Sequence, residues 1–297
     1  MFEGFEPLAV DTDMARIVGR HGGKGPPLLL LHGNPMNHVS WHNQVGELAR
    51  YFHVVATDLR GYGDSSAPPA GENFENYSFR AMANDQVTVM KSLGYDSFFV
   101  AGHDRGARTA HRMAIDHPDK VKRIALLDIL PSHHIWTNTS REWANSSWHW
   151  TFMVQPEPLP ETMMGAVPAR WFMEQKLSKK GIGLDFMDPR AFDEYVRCFT
   201  EKTIRGSCND YRACISCDFE MDTADFEAGN LIQMPTLVIW GSQSHTGKVY
   251  GDILPIWRQY ATNVTGGPIE CGHYVPEHAP GETLDRLMAF FSNQDNL

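Results

Sequence analysis

Residues Phe98–His111 read FFVAGHDRGARTAH, and this stretch restricts the folds open to the chain more than any other. The continuous apolar run Phe98–Ala101 suits a strand buried on both faces of a sheet. A helical pattern follows from Ala107 to near Pro118. Only Gly102-His103-Asp104-Arg105-Gly106 joins the two. A strand that enters a helix so abruptly must bend sharply, and glycines at 102 and 106 relieve crowding at the bend. Asp104 at the apex then stands at a helix N-terminus, where free N–H groups and the dipole favour negative charge.

The first half of the chain repeats this alternation. PPLLLLHG reads as a buried strand ending at glycine. YFHVVATDLRGYGDSS reads as a strand and a glycine-rich turn. SFRAMANDQVTVMKSLG has helical spacing and ends at Gly94, a C-terminal cap; VKRIALLDILP is a further strand. Strands alternating with helices imply a mostly parallel sheet covered on both faces. The texture changes after Pro131. Residues Ser132 to about Asn230 are rich in Trp, Met and His and read as helices and loops, with QPEPLPE as a proline-rich break. MPTLVIWGSQS resumes the strand pattern, YGDILPIWRQYA reads as helix, and GGPIECGHYVPEHAPGETLDRLMAFFS closes with a loop and an amphipathic helix. The expected architecture is an α/β core of residues 1–131 plus 231–297, interrupted by a helical cap of residues 132–230.

Composition narrows the function classes. A chain of 297 residues with 42% hydrophobic content has ample material for one large packed domain. Its net charge of −10 argues against nucleic acid or an anionic membrane surface as partner. A small acidic substrate would need local cations in its site. The five cysteines are an odd number, mostly in one half, and read as reduced thiols of a cytoplasmic protein. Cys214-Ile215-Ser216-Cys217 lacks a second ligand pair, so it makes no zinc finger. MFEGFEPLAVDTD carries no secretory pattern, and no run approaches the ~18 apolar residues of a membrane span.

G-x-S-x-G at a strand-to-helix turn is the nucleophile elbow of hydrolases; here the central residue is Asp104. Arg105 and Arg108 nearby would help keep it ionised. A carboxylate can attack saturated carbon and form an ester, which water must then cleave. His273, in the loop ECGHYVPEHAP, is the candidate base. Asp128, ending the strand RIALLD, is the acid that would orient it. The order Asp104, Asp128, His273 is the nucleophile–acid–base order of the α/β-hydrolase fold. His32-Gly33-Asn34-Pro35 follows another strand. The backbone N–H groups of Asn34 and Arg105 would then face the Asp104 carboxyl and stabilise an oxyanion, each such donor being worth about 3–4 kcal/mol. Plainer roles exist for each residue. Asp104 could be only a helix N-cap and Asp128 only a strand-end acceptor. Among 14 histidines, His38, His42, His133 and His134 read as packing or surface residues. His38 and His42 lack a third metal ligand, and no metal or cofactor is expected.

DLRGYGDSSAPP, GHDRGARTAHRMAIDHP, LLDILP, WHWTFMVQPEPLPE, GSCNDYRA and GHYVPEHAP together resemble the haloacetate dehalogenases, fluoroacetate dehalogenases included. The likeness runs over almost the whole chain. It implies an α/β-hydrolase fold with an inserted cap, and cofactor-free hydrolysis of haloacetates to glycolate and halide. Asp104, Asp128 and His273 match the catalytic triad. Arg105 and Arg108 match the residues that hold the substrate carboxylate. His149, Trp150 and Tyr211 match the cap donors that receive the halide, although tryptophans there would otherwise read as packing. The resemblance also implies a homodimer.

Two departures bear on specificity. Asn34 stands where these enzymes carry an aromatic residue. That makes it an added halide donor or a change of pocket shape. The cap stretch QKLSKKGIGLDF lacks the tryptophan that lines the family's pocket, which implies room for chloro- or bromoacetate or larger 2-haloacids. Epoxide hydrolases share the elbow and the histidine. That rival reading requires cap tyrosines, with Tyr195 and Tyr211 as candidates, and leaves the two arginines unmotivated. A non-catalytic carboxylate binder is a third reading, disfavoured by the intact Asp–Asp–His set.

Overall fold

The structure is a computed structural model that describes residues 1–178 and 183–292. Its strands are β1 (Glu6–Asp11), β2 (Arg16–Gly22), β3 (Pro27–Leu31), β4 (His53–Thr57), β5 (Phe98–His103), β6 (Val121–Leu127), β7 (Thr236–Gly241) and β8 (Val264–Ile269). They form one sheet in the order β1-β2-β4-β3-β5-β6-β7-β8. Every pairing from β4 to β8 is parallel; β1–β2 and β2–β4 are antiparallel.

The run of four leucines in β3 shows why the central strands read as unbroken apolar runs. Leu29 and Leu31 enter the core on one face, and Leu28 and Leu30 enter the core on the other. The first core includes Met82, Val89 and Met113 from α2 (Phe79–Ser92) and α3 (Arg105–Asp116). The second includes Val45, Leu48, Leu287 and Phe291 from α1 (His42–Leu48) and α15 (Pro280–Ser292). Side chains alternate across a strand, so a strand covered on both sides has no position for a polar residue.

Between β6 and β7 the described chain is helical. It forms α4 (Ser132–Thr137), α5 (Arg141–Ser146), α6 (Trp148–Met153), α7 (Leu159–Gly165), α8 (Ala169–Leu177), α9 (Pro189–Cys198), α10 (Glu201–Ile215) and α11 (Cys217–Ala228). After β7 come α12 (His245–Tyr250) and α13 (Leu254–Trp257), and after β8 comes α14 (Val275–His278). Two expectations need correction. The N-terminal hairpin β1–β2 was not visible, because its strands, β1 at the sheet edge and β2 beside it, are only partly buried. YGDILPIWRQYA is not one helix. Gly251, at φ +66°, ends α12, and Pro255 sits in the first turn of α13. Among the described residues, no helix is long and apolar enough to cross a membrane.

One joint ties the helical segment to the sheet. Met173, Leu177, Ala191, Phe192 and Tyr195 pack with Met36, Val39 and Tyr274. Inside it the buried Tyr195 hydroxyl donates to Glu277 Oε1, while Glu277 Oε2 has no partner. Burial pushes the Glu277 carboxyl up to about 8, despite the opposing Tyr195 hydrogen bond. Below the ordinary value of 4.5, folded and unfolded chains both hold this proton. Between there and about 8 only the folded chain does, so its stabilisation falls as pH rises through that window. Glu277→Gln should therefore flatten the decline of Tm between about pH 5 and about pH 8, a slope worth a few kcal/mol in the native chain. Thermal unfolding followed by circular dichroism across that range checks it.

Candidate active site

β3 leads to β4 on one side and β5 leads to β6 on the other, so the connections leaving β3 and β5 diverge at the β3–β5 crevice, α1 onto one face of the sheet and α3 onto the other. Ligands in open α/β sheets collect at such a point, outside the carboxyl ends of the strands. Asp104 follows β5 there and has φ +49°, ψ −115°. A non-glycine residue adopts such a backbone only when its surroundings enforce it. The enforcement is close packing. A Cβ on Gly102 would lie 2.4 Å from Gly106 O, and one on Gly106 would lie 2.5 Å from His32 O.

The turn brings Asp104 Oδ1 to 2.8 Å from the Asn34 N–H, which donates to it. The loop carrying Asn34 is braced by the Leu59 N–H, which donates to His32 Nε2 at 3.0 Å. No hydrogen bond from the Arg105 N–H to Asp104 is found among the described residues, so one of the two expected backbone donors is in place. Asp104 Oδ2 lies 3.6 Å from His273 Nε2. The other ring nitrogen, Nδ1, donates to Asp128 Oδ2 at 2.5 Å. Asp128 Oδ1 accepts from the Gly241 N–H at 2.9 Å and the Ser244 hydroxyl at 2.8 Å. These donors hold the Asp128 carboxylate in one orientation, and with it the tautomer that leaves Nε2 facing Asp104.

Burial alone would raise the Asp104 carboxyl. The His273 hydrogen bond and charge, with His103 and Arg105 behind them, outweigh it and hold Asp104 well below the usual carboxylate range. Asp128 is lowered by the same balance, with His273 and Ser244 opposing burial. His103 goes the other way: burial and the charge of His273 bring it down to about 4. The neutral His103 ring therefore donates its Nε2–H to His273 O, 2.8 Å away.

The two arginines are not equivalent. Arg105 is fully buried, and its Nε donates to Asp210 Oδ2 at 2.8 Å while Nη2 donates to Asp210 Oδ1. Asp210 Oδ2 also accepts from the Tyr62 hydroxyl at 2.6 Å. The Arg105 charge is thus neutralised from α10, and among the described residues its Nη1 meets no acceptor. Arg108 is 4% exposed and donates through Nη1 to neutral groups, Leu130 O and Ser132 Oγ, each at 2.9 Å. Its Nε has no partner, and among the described residues it forms no ion pair. A buried cation without a counter-ion is costly, and an anion beside it recovers that cost. Arg108 lines a small, tight cavity with Asp104, His149, Trp150 and His273.

The expected cap donors converge on the same place. Tyr211 has its ring 5.8 Å from His149 and 5.7 Å from Trp150, centre to centre. Arg105 lies over the Tyr211 ring at 4.3 Å, and Arg108 over Trp150 at 4.7 Å. Burial, reinforced by the Asp104 charge, keeps the Tyr211 phenol protonated, hence a donor. The Asn34 side chain lies elsewhere. It lines a separate chamber with Tyr62, Phe172 and Lys176, and its Nδ2 is 3.5 Å from Tyr62 Oη. The stretch QKLSKKGIGLDF falls partly outside the described residues, so the expected extra room there is not located.

Sequence reading missed Asp210, Tyr62, Ser244 and His245. Asp210 adjoins Tyr211 in GSCNDYRA and could have been flagged as an acid facing the elbow arginines. His245 has its ring 5.3 Å from His273. With Asp128 and His273 it forms a grouping of metal-ligand residue types within 4.8 Å, but Asp128 already accepts three hydrogen bonds there. His38, read as packing or surface, is buried against Asp58 at 2.7 Å.

The sequence profile of the alpha/beta hydrolase fold matches residues 26–280. The chain belongs to this family. It is 40% identical to a fluoroacetate dehalogenase of Burkholderia sp, over 99% of this chain and 96% of that one. It is 33% identical to a soluble epoxide hydrolase of Corynebacterium sp., over 91% of each. The crystal structure of ALR0039 from Nostoc sp PCC 7120 superposes with a TM-score of 0.95 at 48% identity, covering 99% of this chain and all of that one.

This alpha/beta hydrolase stakes stability on the Arg105–Asp210 pair. Asp210→Asn leaves Arg105 buried without its counter-charge and should cost about 3–5 kcal/mol in urea unfolding. The double variant Arg105→Met/Asp210→Leu should recover most of that loss.

Proposed function

We propose that the protein is a haloacetate dehalogenase that hydrolyses haloacetates to glycolate and halide. The observation that carries this reading is Arg108, a buried cation that forms no ion pair among the described residues and lines the same cavity as the ionised Asp104. Such a site suits a small anion whose reacting carbon lies next to its carboxylate. Arg108, with the remaining Nη1–H of Arg105, anchors that carboxylate.

Asp104 Oδ2 attacks the halogen-bearing carbon and displaces halide in line. The halide leaves toward the donors His149, Trp150 and Tyr211. Fluoride loses strong hydration when it forms in a closed site, so these donors matter most for it; charge-assisted bonds are worth about 1.5–3 kcal/mol each. His273, held by Asp128, then takes a proton from water as the water oxygen attacks the ester carbon of Asp104. The oxyanion forms on Oδ1, against the Asn34 N–H. Collapse releases glycolate and restores Asp104 with one oxygen from water.

The epoxide hydrolase reading needs two cap tyrosines as proton donors. Of the two cap candidates, the Tyr195 hydroxyl is committed to Glu277, which leaves Tyr211; Tyr250 also lines the cavity, but from α12 and not from the segment between β6 and β7. Assays with chloroacetate and styrene oxide separate the readings: halide release from the first and no diol from the second is the expected outcome. Diol formation without halide release would overturn the proposal. Arg108→Met should lower kcat/KM for chloroacetate roughly 10²–10³-fold through loss of the buried anion contact. Tyr211→Phe should slow fluoroacetate more than chloroacetate.

A further inference from the structure

Three histidines, His149, His245 and His273, line both the cavity around Asp104 and a second cavity outside it. The outer cavity has a volume of about 200 Å³ and is also lined by Lys176 of α8, Lys248 of α12 and Trp148 of α6. Among the described residues, none that lines it is Asp or Glu. That is unusual for a chain with 36 acidic residues against 26 basic ones. A concave wall carrying only positive charge, on a protein of net charge −10, concentrates anions locally where the molecule as a whole repels them. Lys248 is exposed and Lys176 half-buried, and solvent-facing charges act over only about 8 Å at physiological salt, which is the scale of such a chamber.

We propose that the outer cavity is a second binding station for small monocarboxylates, with Lys176 and Lys248 as its anion-binding groups. The three histidines form the shared wall through which a carboxylate passes to or from Arg108. That haloacetate enters and glycolate leaves rests on the function proposed above; binding of a carboxylate to the outer station does not. The indole N–H groups of Trp148 and Trp150 separate the two sites, since Trp148 lines the outer cavity and Trp150 the inner one.

The test is a magnetic resonance titration of the full chain with sodium acetate, set against sodium chloride at equal ionic strength. Acetate should shift both indole signals, and chloride should leave Trp148 in place. The double variant Lys176→Gln/Lys248→Gln should lose the Trp148 response and keep that of Trp150; Arg108→Met should do the reverse. A Trp148 signal that ignores acetate, follows chloride equally, or still responds in the lysine variant overturns the station. If the haloacetate reading alone fails, halide release is absent while the Trp148 response to acetate stays. At low ionic strength the lysine variant should also show a severalfold lower kcat/KM for chloroacetate, the mark of passage inward, or weaker inhibition by glycolate, the mark of passage outward. Neither change would overturn the route.

Discussion

Asp104 stands at φ +49° because β5 must end and α3 must begin within a few residues, with Gly102 and Gly106 packed against backbone on either side. That backbone lifts the carboxylate clear of the sheet. One oxygen meets a backbone donor from the β3 loop and the other an imidazole from the β8–α14 loop. Each remaining part of the site is defined relative to this raised carboxylate. Asp128 matters because it orients His273 toward it. The helical segment between β6 and β7 matters because it closes a small cavity over it. A larger side chain at either glycine would force the turn open and separate all three partners.

The charges around that carboxylate follow a consistent logic. Arg105 sits in the first turn of the elbow helix, and Asp210 from α10 cancels its charge. The pair pins the helical segment to the elbow. Arg108, one turn later, donates to a carbonyl and a hydroxyl, lies over the Trp150 ring, and forms no ion pair among the described residues. One arginine is therefore paired within the fold, while its neighbour is the cation that the proposed function assigns to an incoming anion. Tyr211, beside Asp210 in sequence, keeps its hydroxyl protonated, with its ring against His149 and Trp150. A single helix thus provides the counter-ion for Arg105 and the tyrosine that the proposed function uses as a donor.

Much of this was legible in the sequence, for physical reasons that can be named. Strands buried on both faces leave continuous apolar runs, so β3, β5, β6 and β7 announce themselves, and the residues after their carboxyl ends follow. Asp104, Asp128 and Asn34 were found that way, and His273 from its place in a late loop. The hairpin β1–β2 was not, since a half-covered edge gives no clean period. Asp210 was not singled out, because a charge buried far along the chain carries no local signature. The partition of roles between Arg105 and Arg108 depends on that unseen partner. The Asn34 side chain turns into a separate chamber with Tyr62, a direction that spacing along the chain does not encode.

The central claim is that Asp104 becomes covalently bonded to the substrate carbon. A single turnover of chloroacetate in oxygen-18 water, with enzyme in excess, tests it most directly. The account predicts unlabelled glycolate and one labelled oxygen in the peptide that carries Asp104. Label in the glycolate and none in that peptide would mean that water attacks the substrate itself, and would contradict the account.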